Sequence, residues 1–537
     1  MFNIKVLDCT LRDGGYVNNW DFGLTLSQKF LKNIDNACIE YAEIGFLKDS
    51  EYNQEKTVFN EIEQIKNVIP RNFKHNSKIV AMIVYGKFNV NKIVPKTQDV
   101  VLDAIRVTFK KNEIESVFDY LEKIKLAGYQ LFVNPTNVES YSDEELLNLI
   151  KKVNMLNPYG FSIVDTNGVL KENDLLRLYH LINHNLKKDI ALCFHSHNNL
   201  QLSFSNAQCL IKSCHNRELV IDSTVFGMGR GAGNLCTELL TQYLNDNYNA
   251  NYNIIPILKI IDEQINPIFA KTPWGYSVPY YLAATNHCHP NYAKYLVDKQ
   301  TVPVEVINAL LSAIPQQKKS TYNQELIKQI YLDKFSRIID DSDTINKLKN
   351  ILCDKTILLL APGKSLAKET DRVKQFINEF NPYIISLNFV PENFNENMVF
   401  VTNLKRFSSL ENFKSELVVT SNIDVQNITS NIINYSSYIN DSKEFDNTAL
   451  MLFKLLIKIG VTEINIAGLD GFSSNASDNY VSENLLNTTN FKELNQRNFN
   501  LFNQITNYKK QLKMNFITES LFVERNFTSH NEYFIEN

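Results

Sequence analysis

The sequence predicts an α/β protein in two parts: a closed (β/α)8 barrel first, then a three-layer α/β domain built on a parallel sheet. Three observations support this prediction. Short apolar runs alternate with amphipathic stretches over residues 1–246. Polar side chains recur where those runs end. The alternation then restarts after Cys353, beyond an irregular and largely helical stretch.

Eight strand-like runs define the barrel. They occupy residues 4–10, 41–46, 77–86, 102–109, 130–136, 161–166, 190–196 and 218–226. Helical periodicity fills most of the gaps, and Ser142 followed by Glu145 is typical of a helix start. The connection over 87–100 gives the weakest helical pattern. Eight strands, each followed by a crossover, favour a closed TIM barrel over an open doubly wound sheet, which usually has fewer strands.

A chain of 537 residues is too long for one hydrophobic core, so we expect several domains. We assign residues 1–250 to the barrel and residues 251–350 to a helical extension and linker. Residues 351–537 contain further strands, a buried helix over 447–460 and a last helix around 497–512. This pattern predicts a Rossmann-like three-layer domain.

Composition narrows the class of protein. Apolar residues make up 44%, charged residues 21%, and the net charge is −4. Because no Lys/Arg block stands out, we expect no nucleic-acid partner. No apolar run reaches about 18 residues, so we expect no membrane span. The eight cysteines are scattered and the N-terminus lacks a signal-peptide pattern, which favours a cytoplasmic protein with reduced thiols.

The most informative residues are Asp13, His195 and His197. In a strand, histidines at i and i+2 lie on the same face and can reach one ion together with a carboxylate. This mixed oxygen and nitrogen set suits Mg²⁺ or Mn²⁺ better than structural zinc. The neighbouring Arg12 adds a fixed positive charge, and a metal beside a guanidinium suits the stabilisation of an enolate.

Other polar residues support the barrel. Each of the following lies late in a strand-like run or just after it: Thr10, Arg12, Asp13, Glu43, Arg106, Asn134, Asp165, Thr166, His195, His197 and Asp222 to Thr224. The carboxyl ends of barrel strands are where such folds build active sites. The sequence therefore predicts one polar site at that end.

Four motifs over roughly residues 1–300, DCTLRDGG, AEIGF, FHSHNN and GMGRGAGNLCTE, resemble the metal-dependent aldolase/lyase superfamily on (β/α)8 barrels. That superfamily includes 4-hydroxy-2-oxovalerate aldolase and hydroxymethylglutaryl-CoA lyase. The resemblance implies the following roles: Asp13, His195, His197 and Asn234 as metal ligands, Arg12 at the enolate oxygen, Glu43 orienting the arginine, Thr166 near the substrate carboxylate and Tyr276 as a catalytic tyrosine.

The expected function is that of a metal-dependent carbon–carbon lyase or aldolase acting through a metal-bound enolate of a 2-oxo acid such as pyruvate, with an aldehyde partner. One departure concerns Tyr16, which stands where the resembled aldolases have a histidine base. An ordinary tyrosine pKa is ~10, so this phenol is a poor base at neutral pH. Either Tyr16 is catalytic through the field of the metal, or a water or another residue replaces it, or the chemistry differs. The alternatives are a Claisen-type acyl-CoA lyase or synthase and a non-catalytic binding protein with a degenerate barrel.

Several residues keep two interpretations. Arg106 can bind a substrate anion or form an internal ion pair. Tyr276 can be catalytic or can pack. His287 and His289 can form a second metal pair or lie at a helix end. The glycine-rich loop at 227–234 can wrap a phosphate, although presenting Asn234 on a tight turn is the favoured role.

In the C-terminal part, the segment APGKSL is not a P-loop, because Leu358 stands where the first glycine is required. The turn together with EINIAGLDGF resembles bacterial sialyltransferase-like proteins of surface-polysaccharide loci. This resemblance implies that a sugar nucleotide contacts Gly363, Lys364, Ser365 and Asp470, and that the protein takes part in polysaccharide biosynthesis. The alternative is a domain that only packs or binds. We also expect a homo-oligomer, as is common among related barrels.

Overall fold

The computed structural model describes residues 4–70, 73, 75–408, 410, 414–425, 431–440, 444, 446–473, 475–482 and 491–523. The chain forms two compact units. The first comprises Met1–Ala293 with Gln317–Tyr322, and the second comprises Lys294–Gln316 with Asn323–Asn537. The division expected from sequence, with boundaries near residues 250 and 350, stays a prediction.

A parallel eight-stranded barrel forms the centre of the first unit. The strands in the described residues are β1 Ile4–Asp8, β2 Tyr41–Leu47, β3 Val58–Phe59, β4 Lys78–Val84, β5 Ala104–Phe109, β6 Gln130–Pro135, β7 Gly160–Asp165, β8 Ala191–Ser196 and β9 Leu219–Ser223. Their order is β1-β9-β8-β7-β6-β5-β4-β2-β3, and pairing of β1 with β2 closes the barrel. The eight predicted strands are confirmed, and β3 is a short addition at the outside of β2.

Helices connect most of these strands. Those that begin in the first unit are α1 Gly15–Asn18, α2 Leu24–Asn36, α3 Ile114–Leu126, α4 Asp143–Leu156, α5 Glu172–Asn185, α6 Ser203–Ser213, α7 Thr237–Tyr248, α8 Ile254–Ile260, α9 Asn266–Lys271, α10 Val278–Thr285 and α11 Pro290–Asp298. Ser142 and Glu145 form the predicted capping box at the start of α4. The weak segment 87–100 contains a single 3₁₀ turn, Val90–Lys92, and no α-helix.

Strand alternation separates two apolar layers. Leu7, Phe132 and Val220 belong to a cluster inside the barrel, whereas Val6 and Ile221 pack with the surrounding helices. This arrangement follows from the two-residue period of a strand, because successive side chains point to opposite faces. The interior of the barrel is therefore apolar, and the polar residues lie at the carboxyl ends of the strands.

The second unit contains a seven-stranded parallel sheet in its described part. Its strands are β10 Ile357–Leu360, β11 Tyr383–Leu387, β12 Met398–Val401, β13 Glu416–Thr420, β14 Asn431–Ile433, β15 Glu463–Ala467 and β16 Lys513–Phe516. The order is β14-β13-β12-β11-β10-β15-β16, so the direction of chain progression reverses between β10 and β15. The Rossmann-like assignment of this unit stays a prediction.

The helices of the second unit are α12 Val304–Ser312, α13 Gln324–Phe335, α14 Ser342–Leu352, α15 Ser365–Lys368, α16 Thr370–Phe380, α17 Leu404–Phe407, α18 Tyr435–Tyr438, α19 Thr448–Ile459 and α20 Phe491–Tyr508. Most residues of α19 are buried, which agrees with its apolar sequence. Over the described ranges of the whole chain, we find no helix that is both long and apolar enough to cross a membrane.

Candidate metal centre

A π-helical turn, Thr10–Gly14, follows β1 and carries Arg12 and Asp13 into the mouth of the barrel. His195 lies near the end of β8 and His197 follows that strand. All four side chains are buried or nearly so. Because parallel strands end at the same rim, residues separated by about 180 positions meet there.

Three potential ligand atoms converge at this rim. The Nε2 atoms of His195 and His197 each lie 3.5 Å from Oδ2 of Asp13. These atoms all lie within 4.8 Å of one another, as a shared ion would require. Oδ2 of Asp13 is buried and has no hydrogen-bond partner among the described residues. A buried carboxylate oxygen without a partner, beside two imidazole nitrogens, fits a divalent cation.

The glycine-rich loop brings Asn234 to the same place. The backbones of Asn234 and His197 form an antiparallel bridge. Nδ2 of Asn234 donates to the carbonyl of Met228 at 3.0 Å, while its buried Oδ1 has no partner in the described part of the chain. A Cβ at Gly229 would lie 2.2 Å from that Nδ2 atom, so the loop requires glycine there. The free oxygen suits a fourth ligand position.

A second layer of contacts orients the histidines. Nδ1 of His197 lies 3.1 Å from the carbonyl oxygen of Asp165, and a proton on Nδ1 leaves Nε2 for a metal. Nδ1 of His195 lies 3.0 Å from Oδ2 of Asp222. Arg106 forms a buried ion pair with the same carboxylate. Carboxylates and carbonyls behind ligating histidines are typical of metal sites.

Arg12 is held by two carboxylates. Its Nε donates to Oε2 of Glu43 at 2.7 Å, and its Nη1 donates to Oδ1 of Asp13, also at 2.7 Å. Its Nη2 is buried and has no partner among the described residues. A bulge in β2 follows Glu43. Within this bulge Gly45 adopts a φ of +146°, and a Cβ on Gly45 would lie 2.0 Å from the carbonyl oxygen of Thr57. The Nη2 amino group of Arg12 therefore remains available for a substrate oxygen.

The charges at the centre follow from these contacts. Burial alone would raise the pKa of Asp13, but the Arg12 charge and the two imidazoles hold that pKa well below its usual range. Burial is the largest influence on His197 and lowers its pKa, although Asp13 opposes that shift. For His195, the carboxylates of Asp13 and Asp222 outweigh burial and raise the pKa. An ionised Asp13 and a neutral His197 are the forms that coordinate cations.

These residues open onto a cavity of about 590 Å³. Tyr16 and Thr166 line it, and the Thr166 hydroxyl oxygen accepts a hydrogen bond from the Asn137 amide at 2.8 Å. Tyr16 is 44% exposed at the cavity mouth, yet the surrounding walls and the Asp13 charge raise its pKa. The phenol is therefore even less ionised at neutral pH than an ordinary tyrosine, which does not favour it in the place of a histidine base.

Some predicted site residues lie elsewhere or make other contacts. Tyr276 is 57% exposed and is not part of the cavity wall. Arg106 makes the internal ion pairs, with Asp222 and Glu43, which was the second of its two interpretations. His287 and His289 do not form a metal-ligand group among the described residues; His287 is exposed and His289 faces the cavity.

Sequence reasoning missed two contributors to this site. The sequence places Asp222 at a strand end without indicating its role, although its position one strand from His195 is a signal for a contact between them. Arg230 lies in the cavity wall, and its only sequence signal was a charged residue within a glycine-rich loop.

In the second unit, Ser365 and Asp470 contact each other. Oδ2 of Asp470 accepts a 2.7 Å hydrogen bond from the Ser365 amide, and Oδ1 accepts one from the Ser365 hydroxyl. A Cβ at Gly363 would lie 2.3 Å from the carbonyl oxygen of Gly468, so this glycine permits close packing. A carboxylate already occupies the predicted anion position, and neither Lys364 nor Ser365 lines the adjacent cavity. The geometry does not favour Lys364 and Ser365 as nucleotide contacts.

Comparisons with known proteins agree with the fold and the motifs of the first unit. Residues 3–262 match the family model described as HMGL-like. This part of the chain therefore resembles that family, and its described residues form the parallel barrel that the motifs predict. The comparisons give no support to the sialyltransferase-like resemblance of the C-terminal part, which stays a prediction.

Individual relatives are distant in sequence. The chain is 23% identical over 275 residues to oxaloacetate decarboxylase of Mycobacterium tuberculosis (strain ATCC 25618 / H37Rv), a match that covers 51% of this chain and 79% of the relative. It is 25% identical over 243 residues to 4-hydroxy-2-oxovalerate aldolase 2 of Comamonas testosteroni, covering 44% and 67%. The structure of hydroxymethylglutaryl-CoA lyase from Pseudomonas aeruginosa matches with a TM-score of 0.39 and 14% identity, covering 50% and 93%. The first two of these relatives are named as a decarboxylase and an aldolase.

Proposed function

We propose that the barrel is a divalent-metal-dependent carbon–carbon lyase or aldolase that acts on a 2-oxo acid such as pyruvate through an enolate. One observation carries the proposal. Three buried polar atoms at the barrel mouth, Nη2 of Arg12, Oδ2 of Asp13 and Oδ1 of Asn234, have no partner in the described residues. Buried polar groups are normally satisfied, so these three atoms suit a bound cation and a substrate oxygen.

The ligand set determines what the site can bind. Asp13, His195, His197 and Asn234 would hold Mn²⁺ or Mg²⁺, because the set mixes oxygen and nitrogen donors and contains no thiolate. When bound, such an ion supplies Lewis-acid polarisation of a carbonyl.

Arg12 supplies the second part of the chemistry. Its free N–H group can donate to the substrate oxygen on which negative charge develops when a bond at C3 breaks. Glu43 holds the guanidinium in one orientation and does not line the cavity, so its role is positioning. Tyr16 stays a neutral phenol and can donate a hydrogen bond to the reacting carbonyl compound, but it does not accept the proton.

For the second unit we propose a Rossmann-like domain that binds a sugar nucleotide in surface-polysaccharide biosynthesis. Support comes from a cavity of about 190 Å³ beside the reversal between β10 and β15, the usual ligand position in such sheets. Gly363, Asp470, Arg406 and Arg497 line it. The sugar-nucleotide chemistry itself rests on the motif resemblance alone. Cytoplasmic location and homo-oligomerisation remain predictions from sequence.

Deuterium exchange at C3 of pyruvate, followed by NMR in D₂O with added Mn²⁺ or Mg²⁺, tests the barrel proposal. We expect exchange in the wild-type protein and none in Asp13→Asn. Asp246→Asn, on the outer helix α7, is the matched control and should exchange normally. Acyl-CoA turnover without exchange would indicate the Claisen-type alternative. Full metal binding without exchange for pyruvate or other 2-oxo acids would indicate a non-catalytic barrel.

A further inference from the structure

Three unusual residues meet on one wall of the barrel cavity: Tyr16, Arg230 of the glycine-rich loop, and His289, which lies beyond the matched residues 3–262. The guanidinium carbon of Arg230 lies 5.5 Å from the centre of the Tyr16 ring. Nη1 of Arg230 lies 3.2 Å from Nε2 of His289. Each residue is remote from the others in sequence, so only the fold shows that they form one cluster.

Arg230 differs from the other arginines of the cavity. Arg12 and Arg106 are each paired with two carboxylates. Among the residues that the structure describes, no carboxylate lies within 4 Å of the Arg230 guanidinium, and His289 is its only hydrogen-bonding contact. A half-buried guanidinium without a counter-ion is a ready partner for a carboxylate or phosphate group.

The surroundings hold Arg230 in this position. The Tyr16 ring offers its face to the cation. His289 is stacked on Tyr322 with ring centres 6.0 Å apart. Burial and the Arg230 charge lower the pKa of His289 to about 3, so its imidazole is neutral and does not repel the guanidinium. Arg230 and His197 line the same cavity, so the cluster lies near the proposed metal ligands.

We infer that Arg230, supported by Tyr16 and His289, binds a second anionic group of the reactants, in addition to the carboxylate of the 2-oxo acid. This inference rests on the proposed function because it presumes a 2-oxo acid in the same cavity. The second group is a carboxylate or phosphate carried either by the 2-oxo acid itself or by its aldehyde partner. Reactants without this second carboxylate or phosphate group leave the Arg230 guanidinium unpaired and therefore bind less well.

Isothermal titration calorimetry of the full-length, Mn²⁺-loaded protein tests the inference with two matched pairs of ligands. The first pair is 2-oxoglutarate and 2-oxobutyrate. The second is glyceraldehyde 3-phosphate and glyceraldehyde, titrated into protein saturated with pyruvate. In at least one pair we expect the anionic member to bind about 10-fold more tightly or better, as one charge-assisted hydrogen bond allows. The pair that responds identifies which reactant carries the charge.

In Arg230→Gln we expect the ratio of affinities within that pair to fall to about 1, whereas Arg230→Lys keeps part of the preference. Arg177→Gln, an exposed arginine paired with Asp143 on the outer helices, is the control and keeps the full ratio. Lys110 also lines this cavity and is a second cation that could bind the anion. The inference is wrong if neither pair shows a preference, if the preference survives in Arg230→Gln, or if Lys110→Gln abolishes it instead. Loss of pyruvate exchange with the preference intact would refute the proposed reaction but leave the anion subsite standing.

Discussion

Asp13 in the first unit and Asp470 in the second both follow the carboxyl end of a parallel strand, yet their surroundings differ. Oδ2 of Asp13 has no hydrogen-bond partner in the described residues and faces two imidazoles. Both oxygens of Asp470 are bound by Ser365, at the start of α15. The same topological position therefore yields an open ligand in one unit and a closed structural contact in the other.

The difference shows that position on a parallel sheet is not sufficient to define a site. What separates the two carboxylates is whether the local backbone and side chains satisfy them. Arg12 takes one oxygen of Asp13 and leaves the other, because the guanidinium is also shared with Glu43. The Ser365 amide and hydroxyl take both oxygens of Asp470, which removes any need for an external cation.

The largest expected effect concerns the open site. His195→Ala removes one of the ligand nitrogens. Loss of a contact behind a ligand lowers metal affinity by about 10–100-fold, so loss of the ligand itself should lower Mn²⁺ affinity by more than that. Equilibrium dialysis with metal analysis measures it. His184→Ala, on the outer helix α5, should retain wild-type metal content. Unchanged metal content in His195→Ala would contradict the interpretation that Asp13 and the two histidines share one metal ion.

Arg12→Lys sharpens the comparison without removing a metal ligand. Lysine keeps the positive charge but loses the fork that contacts Glu43, Asp13 and the substrate oxygen together. We expect the protein to fold and bind metal, with pyruvate C3 exchange slowed by about 10²-fold. Circular dichroism and metal analysis are the accompanying checks. Exchange at a near-normal rate would show that Arg12 takes no part in the chemistry.

The smallest effect concerns the closed contact. Burial raises the pKa of Asp470 from 3.8 to about 6, against the opposing hydrogen bonds from Ser365. In the window between these two values the folded protein holds a proton that the unfolded chain has released, so the stability around this contact falls as pH rises. Hydrogen exchange of the segment 357–366, corrected for intrinsic rates, should show protection several-fold lower at pH 6.5 than at pH 4.5.

Asp470→Asn should remove this pH dependence, because the amide does not titrate. Asp371→Asn, an exposed position in the same unit, should leave it unchanged. If protection against hydrogen exchange depends on pH equally in the wild-type protein and in Asp470→Asn, another group titrates in this window.

Much of the fold follows from local sequence signals. The eight barrel strands were predictable because parallel strands buried on both faces are apolar runs with sharp ends. The start of α4 was predictable from its capping box. The segment 87–100 was not predictable in the same way, because a connection without helical periodicity gives little indication of its conformation; it contains one 3₁₀ turn, Val90–Lys92.

The candidate site was only partly predictable. Asp13, His195 and His197 were identified because their spacing and motifs report a shared face and a shared strand end. The partners behind them were not, since the ion pair of Arg106 with Asp222 joins residues 116 positions apart. The motif resemblance implies a catalytic role for Tyr276; its side chain is exposed and does not line the cavity, and the role stays a prediction.

The sequence by itself determined the alternation of strands and helices, the closure of eight strands into a barrel, and the residue types available at the rim, because these depend on short-range periodicity and on local chain chemistry. Only the tertiary structure decided which polar atoms remain unsatisfied. Whether a carboxylate or guanidinium is available to a ligand depends on every neighbour that packs around it, and those neighbours come from distant parts of the chain. For that reason Asp13 and Arg230 are available to a ligand, whereas the carboxylate of Asp470 is already bound by Ser365.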